Sequence, residues 1–163
     1  MCSEHACWVC CEGDEQHELL PTGCGCRGSA GRAHVHCLVL AAEHNVECWT
    51  SCPTCRQEYT GDFDVLLAEM RWSLVRDRPP EDAERLFVGN NLAVKRKESA
   101  GDNAGALELM EEVLRVRRQT CGDEHPDTLD SIATCPAAHR DGTLRCGAAA
   151  ESGSRQRDAQ GPG

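Results

Sequence analysis

The chain has 163 residues and a formal net charge of −10 at pH 7, which argues against nucleic acid or an anionic membrane surface as the main partner, since phosphate binding needs a basic face. Only 4% of residues are aromatic, and the hydrophobic 40% includes 13 cysteines, so the aliphatic core is thin and a staple is expected. The opening text MCSEHACWVCCEGDEQHE lacks the cationic start and apolar stretch of a signal peptide, and no apolar run approaches a membrane span. Cytosol or nucleus is therefore the expected location, where free thiols and metal thiolates prevail over disulfides.

Residues 1–60 form a first segment, rich in Cys, His and Gly turns and poor in periodicity. Ten of the 13 cysteines lie in residues 2–55. Within it, Cys7, Cys10, Cys24, Cys26, His34, Cys37, Cys52 and Cys55 follow the pattern C-x2-C, x13, C-x-C, x7, H-x2-C, x14, C-x2-C. Eight soft donors suit two tetrahedral zinc sites, and a two-residue gap lets both sulfurs of a pair reach one ion. Four protein ligands per ion leave no open position, so both zincs are expected to be structural. His36 is an alternative to His34, but it abuts Cys37, and adjacent residues chelate one ion awkwardly. Cys2, His5, Cys11, His17, His44 and Cys48 are expected to be loose thiols and surface imidazoles.

Residues 61–134 read as a helical segment. FDVLLAEMRWSLVRD carries Phe63, Leu66, Leu67, Met70 and Leu74 at helical spacing, and Pro79-Pro80 stops it. EDAERLFVGNNLAVKRK is a second predicted helix. AGALELMEEVLRVRRQT is a third, with Leu107, Met110, Val113 and Leu114 on one face and Gly122 as its terminator. Residues 135–163 hold one large aliphatic residue, Leu144, too little buried surface to offset ordering entropy, and are expected to be disordered.

The ligand order resembles the RING-CH (C4HC3) zinc finger. The one-residue gap in Cys24-Gly25-Cys26 and the seven-residue gap to His34 are features of that variant. PHD fingers share the ligand order, but usually with a longer gap in the second pair and a shorter one before the histidine. The resemblance implies a small cross-braced fold with one short helix, in which Cys7, Cys10, His34 and Cys37 bind the first zinc and Cys24, Cys26, Cys52 and Cys55 the second. It further implies ubiquitin-ligase activity without a covalent intermediate, the finger holding a ubiquitin-charged conjugating enzyme. Val9 before the second ligand and Pro53 after the seventh match the family's enzyme-contact positions. Arg56 stands where active ligases carry a cationic residue that donates to both conjugating enzyme and ubiquitin, a task suited to guanidinium. Two departures stand beside these matches. Ala41 replaces the tryptophan often found four residues after the sixth ligand, and the best-known family members are membrane proteins.

Residues 103–131 resemble the second helix and connector of a kinesin-light-chain-type tetratricopeptide repeat, through Ala106-Leu107, Glu112-Val113-Leu114, Arg117-Arg118 and Gly122-Asp-Glu-His125-Pro126-Asp-Thr128-Leu129. GNNLA (89–93) is similar to the end of the repeat's first helix. The layout resembles algal and protist proteins that join a RING-CH finger to such repeats. One repeat and the opening of another are present, as expected of a truncated member or an incomplete gene model; about three are normally needed for stability. Such repeats capture protein partners in a groove, where Asn90 and Asn91 are candidate contacts beside a solvated or helix-packing role. Two functions follow: a zinc-dependent ubiquitin ligase whose helices recruit a protein substrate, or a zinc-stapled interaction adaptor without ligase activity.

Overall fold

The computed structural model describes residues 5–15 and 17–135. Two short strands, β1 (Leu20–Pro21) and β2 (Arg32–Ala33), pair antiparallel with Leu20 opposite Ala33. Five helices follow: α1 (Val35–His44), α2 (Asp62–Val75), α3 (Ala83–Glu98), α4 (Asn103–Cys121) and α5 (Pro126–Thr134). The three helices expected from periodicity are α2, α3 and α4. No described helix is long and apolar enough to cross a membrane.

Helices α3 and α4 each begin where a side chain satisfies an orphan N–H, whereas α2 starts after Gly61 with no side-chain cap. Asp82 accepts from Arg85 N at 2.8 Å to start α3, and Asp102 accepts from Gly105 N at 2.9 Å to start α4. Gly122 ends α4 at φ +90°, a conformation open to glycine at little cost. The string His125-Pro126-Asp127 then opens α5: His125 Nδ1 accepts from Asp127 N at 3.2 Å, and Pro126 occupies the first turn, where a missing N–H is harmless.

The helices α2, α3 and α4 pack in succession, with α5 against α4. Leu92, Ala93, Leu109, Met110, Leu114 and Cys135 form the core of this part, flanked by Ala68, Trp72 and Ile132. Cys135 is fully buried there, so its structure departs from the disorder expected from residue 135 onward; the remainder of that expectation, 136–163, lies outside the described residues. Gly89 permits a close approach of three helices. A Cβ at this position would lie 3.1 Å from both Trp72 Cζ3 and Val113 Cγ2. Gly89→Val should therefore destabilise the protein by about 1–3 kcal/mol through overpacking, read as a lower urea midpoint.

The buried face of α2 departs from the expected stripe. Phe63 and Leu67 are buried as the spacing predicts, but Leu66, Met70 and Leu74 are exposed, and Asp64 and Val75 are buried instead. The reason is that α2 has two neighbours. Its first turns enter the core of the Cys/His-rich segment, where Phe63 and Leu67 join Leu19, Leu38 and Tyr59. Another side faces α3, where Asp64 Oδ2 pairs with Lys95 Nζ at 2.8 Å and Glu69 with Arg96 at 2.8 Å.

Candidate metal centres

Four chain pieces converge on two clusters. The first piece is a knuckle in which Cys7 N donates to Glu12 O at 2.8 Å and Cys11 N to Cys7 O at 2.8 Å. A second knuckle repeats this pattern: Cys52 N donates to Gln57 O at 2.9 Å and Arg56 N to Cys52 O at 2.7 Å. In both, the residue after the second cysteine is left-handed, Cys11 at φ 62° and Arg56 at φ 60°. Each thus turns its backbone back so that two sulfurs face one point.

The β1–β2 hairpin supplies the other two pieces. Cys24 and Cys26 sit on its loop, and His34 follows β2 directly as the N-cap of α1, with Cys37 in the first turn. Trp8 N donates to Arg32 O at 3.2 Å, tying the first knuckle to β2. Thr60 N donates to Thr22 O at 3.2 Å, tying the second knuckle to the Cys24 loop. Gly23 is required where this tie is made: it has φ +72°, and a Cβ there would collide with Thr60.

The result is an interleaved arrangement. The donor atoms of Cys7, Cys10, His34 and Cys37 lie within 4.8 Å of one another, as do those of Cys24, Cys26, Cys52 and Cys55, and each group could hold a metal ion. His34 turns Nδ1 toward the sulfurs, 3.5 Å from Cys10 Sγ and 3.7 Å from Cys37 Sγ. Its Nε2 lies 3.0 Å from Gly13 O, a backbone acceptor that fixes the ring and leaves Nδ1 as the free lone pair.

The surroundings suit thiolates that share a cation. Burial, joined by Cys10 and Cys7, pushes the Cys37 thiol up to about 12. Burial, joined by Cys55, Cys52 and Cys24, pushes Cys26 up to about 12 as well. Cys55 is drawn down to about 7, chiefly by the backbone N–H of Gln57. Burial opposes ionisation of Cys7, but the N–H groups of Cys10, His34 and Val9 outweigh it and lower its pKa. The three thiols of the first group and the four of the second therefore cannot all ionise together unless positive charge joins them. Soft sulfur and imidazole donors, four to a group, fit Zn²⁺, which would supply folding energy rather than a reactive water.

His36 lies beside the first group rather than within it. Its Nε2 is 3.3 Å from Cys37 Sγ, and its ring stacks 5.4 Å from His34 and lies tilted 4.0 Å from His17. The sequence reading left His17 as a surface imidazole and did not foresee this three-ring cluster; the spacing of His17 gives no signal for it. We expect His34→Ala to lower the metal count by one, whereas His36→Ala should keep the count and weaken the first site by about 10–100-fold, as loss of a supporting hydrogen bond does. Native mass spectrometry under a competing chelator distinguishes them.

The other expected site residues fall as follows. Val9 is 37% exposed, Pro53 is half-buried and Arg56 is exposed. Ala41 packs against the finger core, and so does Trp49, over whose ring Arg71 sits at 5.3 Å. Asn90 is not in a groove: it is buried, and its Oδ1 accepts from Ser131 Oγ at 2.8 Å. Arg117 completes that network by donating to Ser131 Oγ and to Asp127 O. Asn90 therefore fastens α5 to α3, the packing alternative. Asn91 lines a cavity at the junction of finger and helices. Cys48 is buried and Cys11 is disulfide-bonded, contrary to the expectation of loose thiols, and Cys135 is disulfide-bonded as well.

Residues 97–127, from the last turn of α3 through α4 to the start of α5, match the family model of the tetratricopeptide repeat. No curated protein and no solved structure matches the chain.

Proposed function

We propose that this protein is a RING-CH-type ubiquitin ligase in which two structural zinc ions, held by Cys7, Cys10, His34 and Cys37 and by Cys24, Cys26, Cys52 and Cys55, shape a surface for a ubiquitin-charged conjugating enzyme. The observation that carries the reading is the interleaving itself: first pair with third, second pair with fourth, each group closed by four soft donors. Closed metal groups do no hydrolysis, so function lies on the surface they organise. Val9, Pro53 and Arg56 lie on the two knuckles, and all three keep some exposure. The helices with their repeat serve to bring a protein substrate, since such repeats generally mediate protein–protein contact. Cytosol or nucleus is the proposed location.

A second reading, an adaptor without ligase activity, draws support from Trp49 and Ala41. Ala41 leaves the groove without its usual tryptophan, and Trp49 is occupied by Arg71 from α2. An autoubiquitylation assay with a panel of conjugating enzymes separates the two. Chain formation by at least one member is expected of the ligase; silence across the panel with folded, zinc-loaded protein leaves the adaptor.

A further inference from the structure

Between the finger and the helices lies a cavity of about 210 Å³ lined by Trp49, Asp64, Arg71, Val88, Asn91 and Lys95, among others. It belongs to neither part alone. Trp49 comes from the turn before the second knuckle, Arg71 from α2, and Asn91 and Lys95 from α3. Its volume is below the roughly 300–1,000 Å³ of pockets for drug-sized ligands, so it has room for about one side chain.

The charges inside are unequally satisfied. Lys95 is engaged by Asp64 at 2.8 Å, which leaves that pair internally neutral. Arg71 is not so placed. It lies between the rings of Trp49, at 5.3 Å, and Phe87, at 5.6 Å. Its nearest carboxylate, Glu84 Oε1, is 3.8 Å away, beyond hydrogen-bond reach, and Glu84 itself is held by Arg78 at 2.6 Å. The Arg71 Nε is enclosed and has no hydrogen-bond partner among the described residues. Burial lowers the Arg71 pKa and the Glu84 carboxylate offsets that only in part, the mark of a cation losing water without full compensation. A largely buried guanidinium with an unmet Nε–H and only a long ion pair at Nη2 is costly, and a carboxylate is the acceptor whose geometry matches its fork. Glu58 at the same cavity opposes any anion, and a doubly charged phosphate more than a singly charged carboxylate.

We infer that this junction cavity binds a carboxylate carried on a partner peptide, with Arg71 as the anion receptor, Trp49 as the apolar wall and Asn91 as a flanking amide. The site couples recognition to the seam between finger and helices, so a peptide held here lies beside the finger. It stands whether the finger is a ligase or not.

The test uses the whole zinc-loaded chain and no conjugating enzyme. Three probes are titrated at millimolar concentration: N-acetylglutamic acid amide, which has a side-chain carboxylate only; N-acetylalanine, which has a terminal carboxylate only; and N-acetylglutamine amide, which has neither. The Trp49 indole N–H and Arg71 Nε–H resonances report binding. Saturable shifts with either carboxylate probe and none with the glutamine probe support the site, and the probe that acts identifies an internal acidic residue or a chain end as the source. Equal shifts with all three, or none with any, overturn it. Arg71→Met should abolish the response, and Arg71→Lys should weaken it about tenfold because charge remains but the fork is lost. Circular dichroism checks that each variant folds; if Arg71→Met does not, undiminished binding by the folded Arg71→Lys counts against the proposal.

Discussion

Stripping both ions with a chelator should unfold the finger and carry the first half of α2 with it, while α4 stays helical. The magnitudes decide this. Structural zinc contributes about 10–16 kcal/mol of apparent free energy in small zinc-dependent folds, as much as or more than the entire 5–15 kcal/mol stability of an ordinary domain. Apart from the sulfurs, the fully enclosed core of the finger consists of Leu19, Ala33, Leu38 and Tyr59, together with Phe63 and Leu67 from α2. That core is too small to hold once the clusters open. Phe63 and Leu67 then lose their surroundings, each at about 1.5–3 kcal/mol of burial.

What remains to hold the start of α2 is weaker. The pairs Asp64–Lys95 and Glu69–Arg96 link it to α3, and partly exposed ion pairs of this kind contribute about 0–1 kcal/mol each. The later turns, with Ala68 and Trp72 against the core of Leu92, Met110 and Leu114, keep their packing. Hydrogen exchange should therefore show protection lost through residues 7–67 and retained in α4, in step with the loss of two ions by native mass spectrometry. Unchanged protection at 62–67 would mean that finger and helices fold independently. Loss of any number of ions other than two would break the metal assignment. Acid should act in the same direction as chelator, because protons compete with metal for thiolates.

These couplings show where sequence reading stops. Ligand spacing is a local property, and a two-residue gap means the same thing wherever the knuckle lies; the eight donors were therefore legible. So were two helix ends, since Pro79-Pro80 and Gly122 act on their own backbone. The face that α2 buries is different in kind. Leu66, Met70 and Leu74 make as good a stripe as any by periodicity, yet the finger and α3 approach from other directions and bury Asp64 and Val75 instead. Asn90 is a similar case. Nothing adjacent in sequence announces that Ser131, 41 residues on, will donate to it in the interior. A division between residues 60 and 61 suits the change in composition, but Phe63 and Leu67 cross it.

Arg56→Gly should abolish most ligase activity while making the finger more stable, not less. Arg56 occupies a left-handed backbone position at φ 60°, where a residue with a Cβ costs roughly 1–2 kcal/mol and glycine almost nothing. Its backbone N–H closes the knuckle through Cys52 O, a bond that glycine makes equally well. The side chain has no hydrogen bond or ion pair with the described residues, so none of them rewards the strain. An exposed cation kept at a strained turn next to a metal ligand suggests a contact made elsewhere, and the proposed one is the conjugating enzyme with its ubiquitin. Losing a charge-assisted hydrogen bond at about 1.5–3 kcal/mol should slow ubiquitin transfer roughly 10–100-fold. The zinc count should stay at two, and the thermal midpoint should rise. Cys11→Gly is the matched control, because it relieves the same strain at the equivalent turn of the first knuckle without removing a cation; since Cys11 is disulfide-bonded, it is measured under reducing conditions. If both variants keep full activity, Arg56 is only a turn residue and the ligase reading loses its best-placed side chain. If Arg56→Gly instead sheds zinc, the guanidinium is part of the scaffold, and transfer must be sought at Val9 and Pro53.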